Sequence, residues 1–237
     1  MGSGQTHRKP FHRSVLNLMS IRTNLPDQFS CTVGFHMAES TRRIYPRRSG
    51  SKALILLSGG IDSTTCLAYY LHEGLSPEAL FVDYGQAGAK KESRAATLIC
   101  RHFQVPLRTI CLTGVIRKGA GLITGRNAFL LLTAALESNG KPGVIALGIH
   151  SGTRYADCTR YFIQRMQAIF DTYTGGALQI GVPFLRWSKG DIWALANSRN
   201  VPLSLTYSCE RGLAQPCGSC DSCLDLEALR ASSHHQN

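Results

Sequence analysis

Two groups of residues in this sequence have types and spacings that packing alone does not require. The first is Ser58-Gly59-Gly60-Ile61-Asp62-Ser63-Thr64-Thr65. Paired glycines let a backbone turn sharply and approach a ligand closely. The free amides of a helix start, together with the hydroxyls of Ser58, Ser63 and Thr64, can then surround an anion. Such a cradle suits a pyrophosphate. It is neither Walker A, which needs a Lys before its last Ser or Thr, nor the G-x-G-x-x-G dinucleotide turn. The bland reading is an ordinary strand-to-helix turn, and the flanking serines with Asp62 weigh against it. The second group is Cys209, Cys217, Cys220 and Cys223, spaced x7, x2 and x2. Four thiolates at these spacings can turn toward one ion and close a tetrahedron with bonds of ~2.3 Å. An all-protein ligand set makes such a site structural. Zinc is the favoured occupant, and an iron-sulfur cluster is the rival, because three cysteines at x2 spacing also suit ferredoxin-like ligation. Its physical job would be to fold a segment too poor in apolar residues to fold alone, holding Glu210, Arg211 and Gln215 near the working edge of the domain.

The elements that must position these groups are legible from Lys52 onward. Apolar runs of strand length (Ala53–Leu57, Ala79–Asp83, Leu107–Leu112, Val144–Ile149, Leu178–Val182) alternate with stretches of helical period. The cradle leads into a helix expected over Cys66–His72. Lys90–Phe103 and Cys158–Phe170 carry apolar stripes at helical spacing, which read as core faces. Ser188 with Asp191 three residues on is a capping-box signature for a helix over Lys189–Ser198. Five strands alternating with helices imply an α/β fold, a parallel five-stranded sheet with helices on both faces, whose ligands gather at the carboxyl ends of the strands.

Composition bounds the rest. Hydrophobic residues make up 43% and charged residues 17% of 237 positions, a globular balance rather than a disordered one. The net charge of +11 would normally suggest a polyanionic partner. It is lopsided, however: residues 1–50 hold eight Arg and Lys against only Asp27 and Glu39. Residues 1–49 are therefore expected to be a basic, disordered extension, with an Arg-rich targeting peptide or phosphate-binding arm as the functional alternative. Residues 50–205 are expected to form the ligand-binding domain, and 206–237 the cysteine segment with a C-terminal helix and tail. No apolar run reaches membrane-spanning length. The longest, Ala128–Leu136, is interrupted by Thr133, and the expectation is a soluble, cytoplasmic chain.

The S-G-G-I-D-S-T-T segment resembles the signature of the PP-loop ATP pyrophosphatases, adenine nucleotide alpha-hydrolase-like enzymes that split ATP into AMP and pyrophosphate to activate a carboxylate, amide or carbonyl oxygen. Phe81-Val82-Asp83-Tyr84-Gly85-Gln86 and the cysteine cluster narrow the resemblance to the 7-cyano-7-deazaguanine synthase family, called QueC. Gly125-Arg126-Asn127, Tyr155-Ala156-Asp157-Cys158 and Trp187-Ser188-Lys189 match that family in order, over about 52–229. The resemblance implies that 7-carboxy-7-deazaguanine is adenylated, attacked by ammonia to give an amide, activated again by ATP and dehydrated to the nitrile. It also implies a homodimer and zinc as the bound metal. No glutaminase domain is evident, so free ammonia is the expected nitrogen source.

On that reading Ser58, Gly59, Gly60, Asp62, Ser63 and Thr64 bind ATP. Asp62, Arg126 and Lys189 are the catalytic candidates: both cations open helices and would stabilise the departing pyrophosphate, with Asp62 the carboxylate nearest a phosphate-bound Mg2+. Asp83, Tyr84, Gln86 and Asp157 are substrate-binding candidates, although Tyr84 could simply pack and Asp157 could simply cap the helix that follows it. Cys158 reads as a packing residue. Where typical family members carry Glu and Asp ahead of the Tyr-x-Asp-Cys motif, this chain reads His150-Ser151-Gly152-Thr153-Arg154. That departure keeps a paralogue acting on a different carboxylate or a tRNA base as the alternative. A zinc-bearing nucleic-acid-binding module is the weakest reading, since it lacks interleaved aromatics and its charge lies mostly outside the domain.

Overall fold

The structure, a computed structural model, describes residues 52–114, 119, 121–141, 143–153 and 155–234. The expectation for residues 1–49 lies outside the described residues, as does Arg154.

Five strands, β1 (Lys52–Leu56), β2 (Ser76–Asp83), β3 (Leu107–Cys111), β4 (Gly143–Ala146) and β5 (Leu178–Gly181), pair in the order β3-β2-β1-β4-β5. Every pairing is parallel, and Ile55 of β1 stands opposite Ala79 of β2 on one side and Ala146 of β4 on the other. Helices α1 (Ile61–His72), α2 (Ala89–Phe103), α3 (Arg126–Ser138), α4 (Arg160–Thr174), α5 (Lys189–Ser198) and α6 (Asp221–His234) complete the chain.

The sheet is parallel because its strands bury both faces. Ala53, Ile55 and Leu57 pack toward Leu67 and Tyr70 of α1, Ala96 and Ile99 of α2, and Ile192 of α5. The intervening Leu54 and Leu56 pack the other way, toward Leu131 and Ala134 of α3 and Met166 and Phe170 of α4. With successive side chains on opposite faces, a strand covered on both sides must be apolar throughout, which is why β1 reads as an unbroken run. Leu131 is completely buried, so Leu131→Ala would cost about 2–5 kcal/mol. The long apolar stretch Ala128–Leu136 is thus the interior of α3. No helix among the described residues is long and apolar enough to cross a membrane.

Several boundaries differ from the sequence expectation, β2 for instance starting at Ser76 and α4 running on to Thr174, and three of the differences bear on the site. The first helix starts at Ile61, not Cys66, because Ser63 and Thr64 bend their hydroxyls back onto the Gly60 carbonyl (3.1 and 2.7 Å) and tie the motif into the first turn. The stripe expected from Cys158 is split: a short 3-10 turn covers Ala156–Cys158, Thr159 is extended, and its hydroxyl accepts from the Phe162 amide to open α4. β4 stops at Ala146, and Gly148 beyond it runs so close to α1 that a Cβ there would collide with the Asp62 carbonyl. The capping box of α5 forms as expected: Ser188 Oγ accepts from the Asp191 amide, and Asp191 accepts from the Ser188 amide at 2.8 Å.

Candidate active site

From β1 the chain crosses first to β2 on one side and later to β4 on the other, so a crevice opens at their carboxyl ends where the strand order reverses. A cavity of about 760 Å³ occupies this edge. Ser58, Gly60, Ile61, Asp62 and Ser63 form one side of it.

Gly59 adopts φ +80, and a Cβ there would stand 2.8 Å from both Ala95 Cβ and the Glu92 carbonyl. Glycine is required because the turn seats on α2. Gly60 is extended (φ −80) and the nearest atom to a Cβ there would be Ser58 Oγ at 3.6 Å, so its missing side chain leaves room for a ligand instead. The first-turn amides of α1 have no intrahelical acceptors and carry the positive end of the helix dipole. Ser58 Oγ and Ser63 Oγ lie 3.1 Å apart at the rim. Thr64 is completely buried and serves the turn rather than the cavity.

Lys189, which opens α5, reaches across 127 residues of sequence to place Nζ 2.5 Å from Asp62 Oδ2. His150 follows β4 and is buried. Its Nδ1 accepts from the Gly152 amide at 3.1 Å, leaving the proton on Nε2, 3.7 Å from the same Asp62 oxygen. Burial lowers the His150 pKa below the ordinary 6.5, and the Lys189 charge adds to this while Asp62 opposes it. Asp62 Oδ1 is buried and has no hydrogen-bond partner among the described residues.

Beyond β2, Asp83 accepts from the Gly85 amide at 2.9 Å and shapes the turn. Gln86 is buried; its Oε1 accepts from the Tyr84 amide and its Nε2 donates to Glu92 Oε2 at 2.9 Å. Burial raises the Glu92 pKa, with Gln86 and Arg126 pulling it down. Arg126 opens α3 on this side, close to Tyr84, whose ring stands edge-on to Phe129. Asp157 does not cap the helix that follows it. Its Oδ2 accepts from the Asn127 amide at 3.3 Å, and its carbonyl accepts from Asn127 Nδ2, so it pins the start of α3 instead.

The remaining wall comes from the cysteine segment. All four thiol sulfurs lie within 4.8 Å of one another. Backbone amides of Ser219 and Cys220 lower the Cys217 thiol to about 6. That grouping suits a metal ion. Two contacts bind the segment to the phosphate loop and its neighbour: the Tyr207 amide donates to the Gly59 carbonyl at 2.8 Å, and Gly212 (φ +66) presses so closely on the Ala87 carbonyl that no side chain fits. Glu210 accepts from Ser222 Oγ at 2.8 Å, holding the start of α6, and α6 presents Asp221 and Asp225 to the cavity.

Ser58, Gly60, Asp62, Ser63, Tyr84, Gln86, Arg126 and Lys189 thus line one cavity, while Gly59, Thr64, Asp83 and Asp157 support it from behind. Glu92, His150, Asp221 and Asp225 also line it and are not site candidates from sequence, where His150 enters only as part of the neutral stretch ahead of Tyr155. The signal for His150 was its place just past β4 at the sheet's carboxyl edge.

The profile of the family "Queuosine biosynthesis protein QueC" matches residues 52–120 and 118–233. A protein of Campylobacter jejuni subsp. doylei named 7-cyano-7-deazaguanine synthase is 31% identical over 202 residues, covering 73% of this chain and 90% of its own. One of the same name from Archaeoglobus fulgidus is 32% identical over 209 residues, covering 76% and 87%. Among solved structures, the NMN synthetase of Francisella tularensis aligns with a TM-score of 0.45 at 17% identity, covering 79% of this chain and 86% of that one. The phosphate loop, the cysteine cluster and the matches across the whole described domain together place this chain in the QueC family.

Proposed function

We propose that this protein is an ATP-dependent ligase that converts 7-carboxy-7-deazaguanine and ammonia to 7-cyano-7-deazaguanine. The observation that carries the reading is a single cavity in which a phosphate loop, a cation held at that loop and a wall of carboxylates from the cysteine segment face one another. Its size falls within the range of small-molecule sites.

In the first half-reaction an oxygen of the acceptor carboxylate attacks the α-phosphorus of ATP, the bond to the bridging oxygen breaks, and pyrophosphate leaves. Ser58, Gly60, Ser63 and the α1 amides bind the phosphates, and Lys189 stabilises the charge that builds on the departing oxygens. Ammonia then attacks the acyl carbon and AMP leaves, giving the amide. In the second half-reaction the amide oxygen is adenylated in the same way. Loss of AMP and of the nitrogen-bound protons leaves the nitrile.

The acidic residues expected of a site that reads the N–H edge of a purine-like ring are supplied by Glu92, Glu210, Asp221 and Asp225. This supports the deazaguanine acceptor despite the neutral His150–Thr153 stretch. Mg2+ would neutralise the ATP phosphates, and Asp62, with Oδ1 unpartnered among the described residues, would hold it. Zn2+ fits the four thiols: ligands of one tetrahedral ion stand ~4 Å apart, close to the observed grouping, whereas an iron-sulfur cube would spread them further. Its contribution would be to lock the segment that bears Glu210 and α6. A homodimer, free ammonia as nitrogen donor and a cytoplasmic setting belong to the same reading through the family resemblance.

Incubation of the purified protein with ATP, ammonium and the acid, with products resolved by mass, tests the proposal. Formation of the nitrile with AMP and pyrophosphate is the expected result. Pyrophosphate release that ignores the deazaguanine acid but responds to another carboxylate or to tRNA would overturn it.

A further inference from the structure

Among the described residues two side-chain cations, Lys189 and Arg126, line the cavity, and they are placed differently. Lys189 opens α5 on the sheet face covered by α1 and α2, and its ammonium sits on Asp62 beside the phosphate loop. Arg126 opens α3 on the opposite face, the one built on Leu54, Leu56, Leu80 and Val82. Tyr84, Glu92, Tyr155 and Cys158 line the cavity with it, and none of them belongs to the loop. Its Nε makes a long contact to Asn127 Oδ1 at 3.4 Å. Among the described residues no carboxylate oxygen comes within 4.0 Å of its guanidinium. Arg126 therefore offers the cavity a charge that no protein anion has neutralised at contact distance.

We infer that Arg126 binds the carboxylate of the acceptor and does not act on the departing pyrophosphate, so that it selects the acid over the amide; this rests on the function proposed above. A guanidinium donates two parallel hydrogen bonds to a carboxylate, a match that ammonium cannot reproduce. The acid arrives charged and is held by that fork. The amide made from it is neutral and has nothing for the fork to pair with, although its activation uses the same ATP, loop and Lys189. Asn127 and Asp157 fix the first turn of α3 and hence the direction from which the fork enters.

The two substrates of one enzyme make the test. Arg126→Gln and Arg126→Lys are assayed with the acid plus ammonium and, separately, with the synthetic amide, following pyrophosphate at varied acceptor and varied ATP. Removal of a charged hydrogen-bond partner raises the KM for the acid by about 10- to 100-fold in Arg126→Gln, less in Arg126→Lys. The KM for ATP and the kinetics with the amide stay within about twofold of wild type. Equal loss with acid and amide, or a raised KM for ATP, would assign Arg126 to the phosphates and overturn the inference. Unchanged melting of both variants excludes misfolding, and intact amide turnover does so independently. Wild-type protein that releases pyrophosphate with neither compound would overturn the proposed function itself, and this inference with it.

Discussion

Gly59 and Gly60 are neighbours in sequence and should fail in opposite ways. At Gly59 an alanine must adopt φ +80, which costs about 1–3 kcal/mol for a residue with a Cβ. Its methyl would also lie 2.8 Å from Ala95 Cβ and from the Glu92 carbonyl. Neither neighbour can yield: one is fixed on the α2 core face and the other is backbone, so overpacking adds about 1–3 kcal/mol. Gly59→Ala should therefore lose about 2–6 kcal/mol in urea unfolding, and at about 2–4 °C per kcal/mol for a domain of this size its Tm should fall by roughly 4–24 °C. Gly60→Val has permitted backbone angles and no atom nearer than 3.6 Å to its Cβ. Its stability should stay within about 1 kcal/mol of wild type, the scale of N-cap exchanges. The isopropyl group enters the cavity, however, and pyrophosphate release should drop more than about 100-fold. Parallel melts and coupled pyrophosphate assays read both effects. A Gly59→Ala protein as stable as wild type, or a Gly60→Val protein that still turns over ATP, would refute the division of roles.

Three further outcomes follow from the geometry. Lys189→Met should lower kcat by about 10²–10³-fold with acid and amide alike, because it removes the cation at the loop in both half-reactions; unaltered pyrophosphate release would contradict this. His150 has its folded pKa lowered, so below pH 6.5 the unfolded chain takes up the proton first and stability falls as pH drops; urea midpoints should show this slope in wild type and lose it in His150→Asn. Cys220→Ser, or chelation of the wild type, should release about one zinc per chain and loosen the wall that carries Glu210 and α6, with pyrophosphate release lost; iron with labile sulfide in the purified protein would contradict the zinc assignment.

The order of strands and helices was legible because a parallel sheet covered on both faces imposes unbroken apolar runs of strand length, as in Ala53–Leu57 and Ala79–Asp83. Local hydrogen bonding also announced itself, as with Ser188 and Asp191. The start of α1 is less legible, because Ser63 and Thr64 tie back onto the Gly60 carbonyl and carry the helix into the loop motif itself. Asp157 reads from sequence as a substrate contact or as the cap of the helix after it, but its partner is Asn127, 30 residues earlier. His150, Glu92 and Asp225 come from three separate elements, and only the closed fold brings them to one cavity. Motifs report contacts within a turn; a wall built from distant elements leaves no comparable trace.

The central claim is that oxygen of the acceptor is transferred to AMP in both activations. Wild-type protein supplied with acceptor acid carrying ¹⁸O at both carboxylate positions, unlabelled ATP and ammonium tests it directly, with AMP, pyrophosphate and nitrile resolved by mass. Each nitrile formed is expected to be accompanied by two AMP molecules, each with a single ¹⁸O, and pyrophosphate to carry none. Label in inorganic phosphate with ADP as the nucleotide product, or nitrile formation with unlabelled AMP, would contradict it.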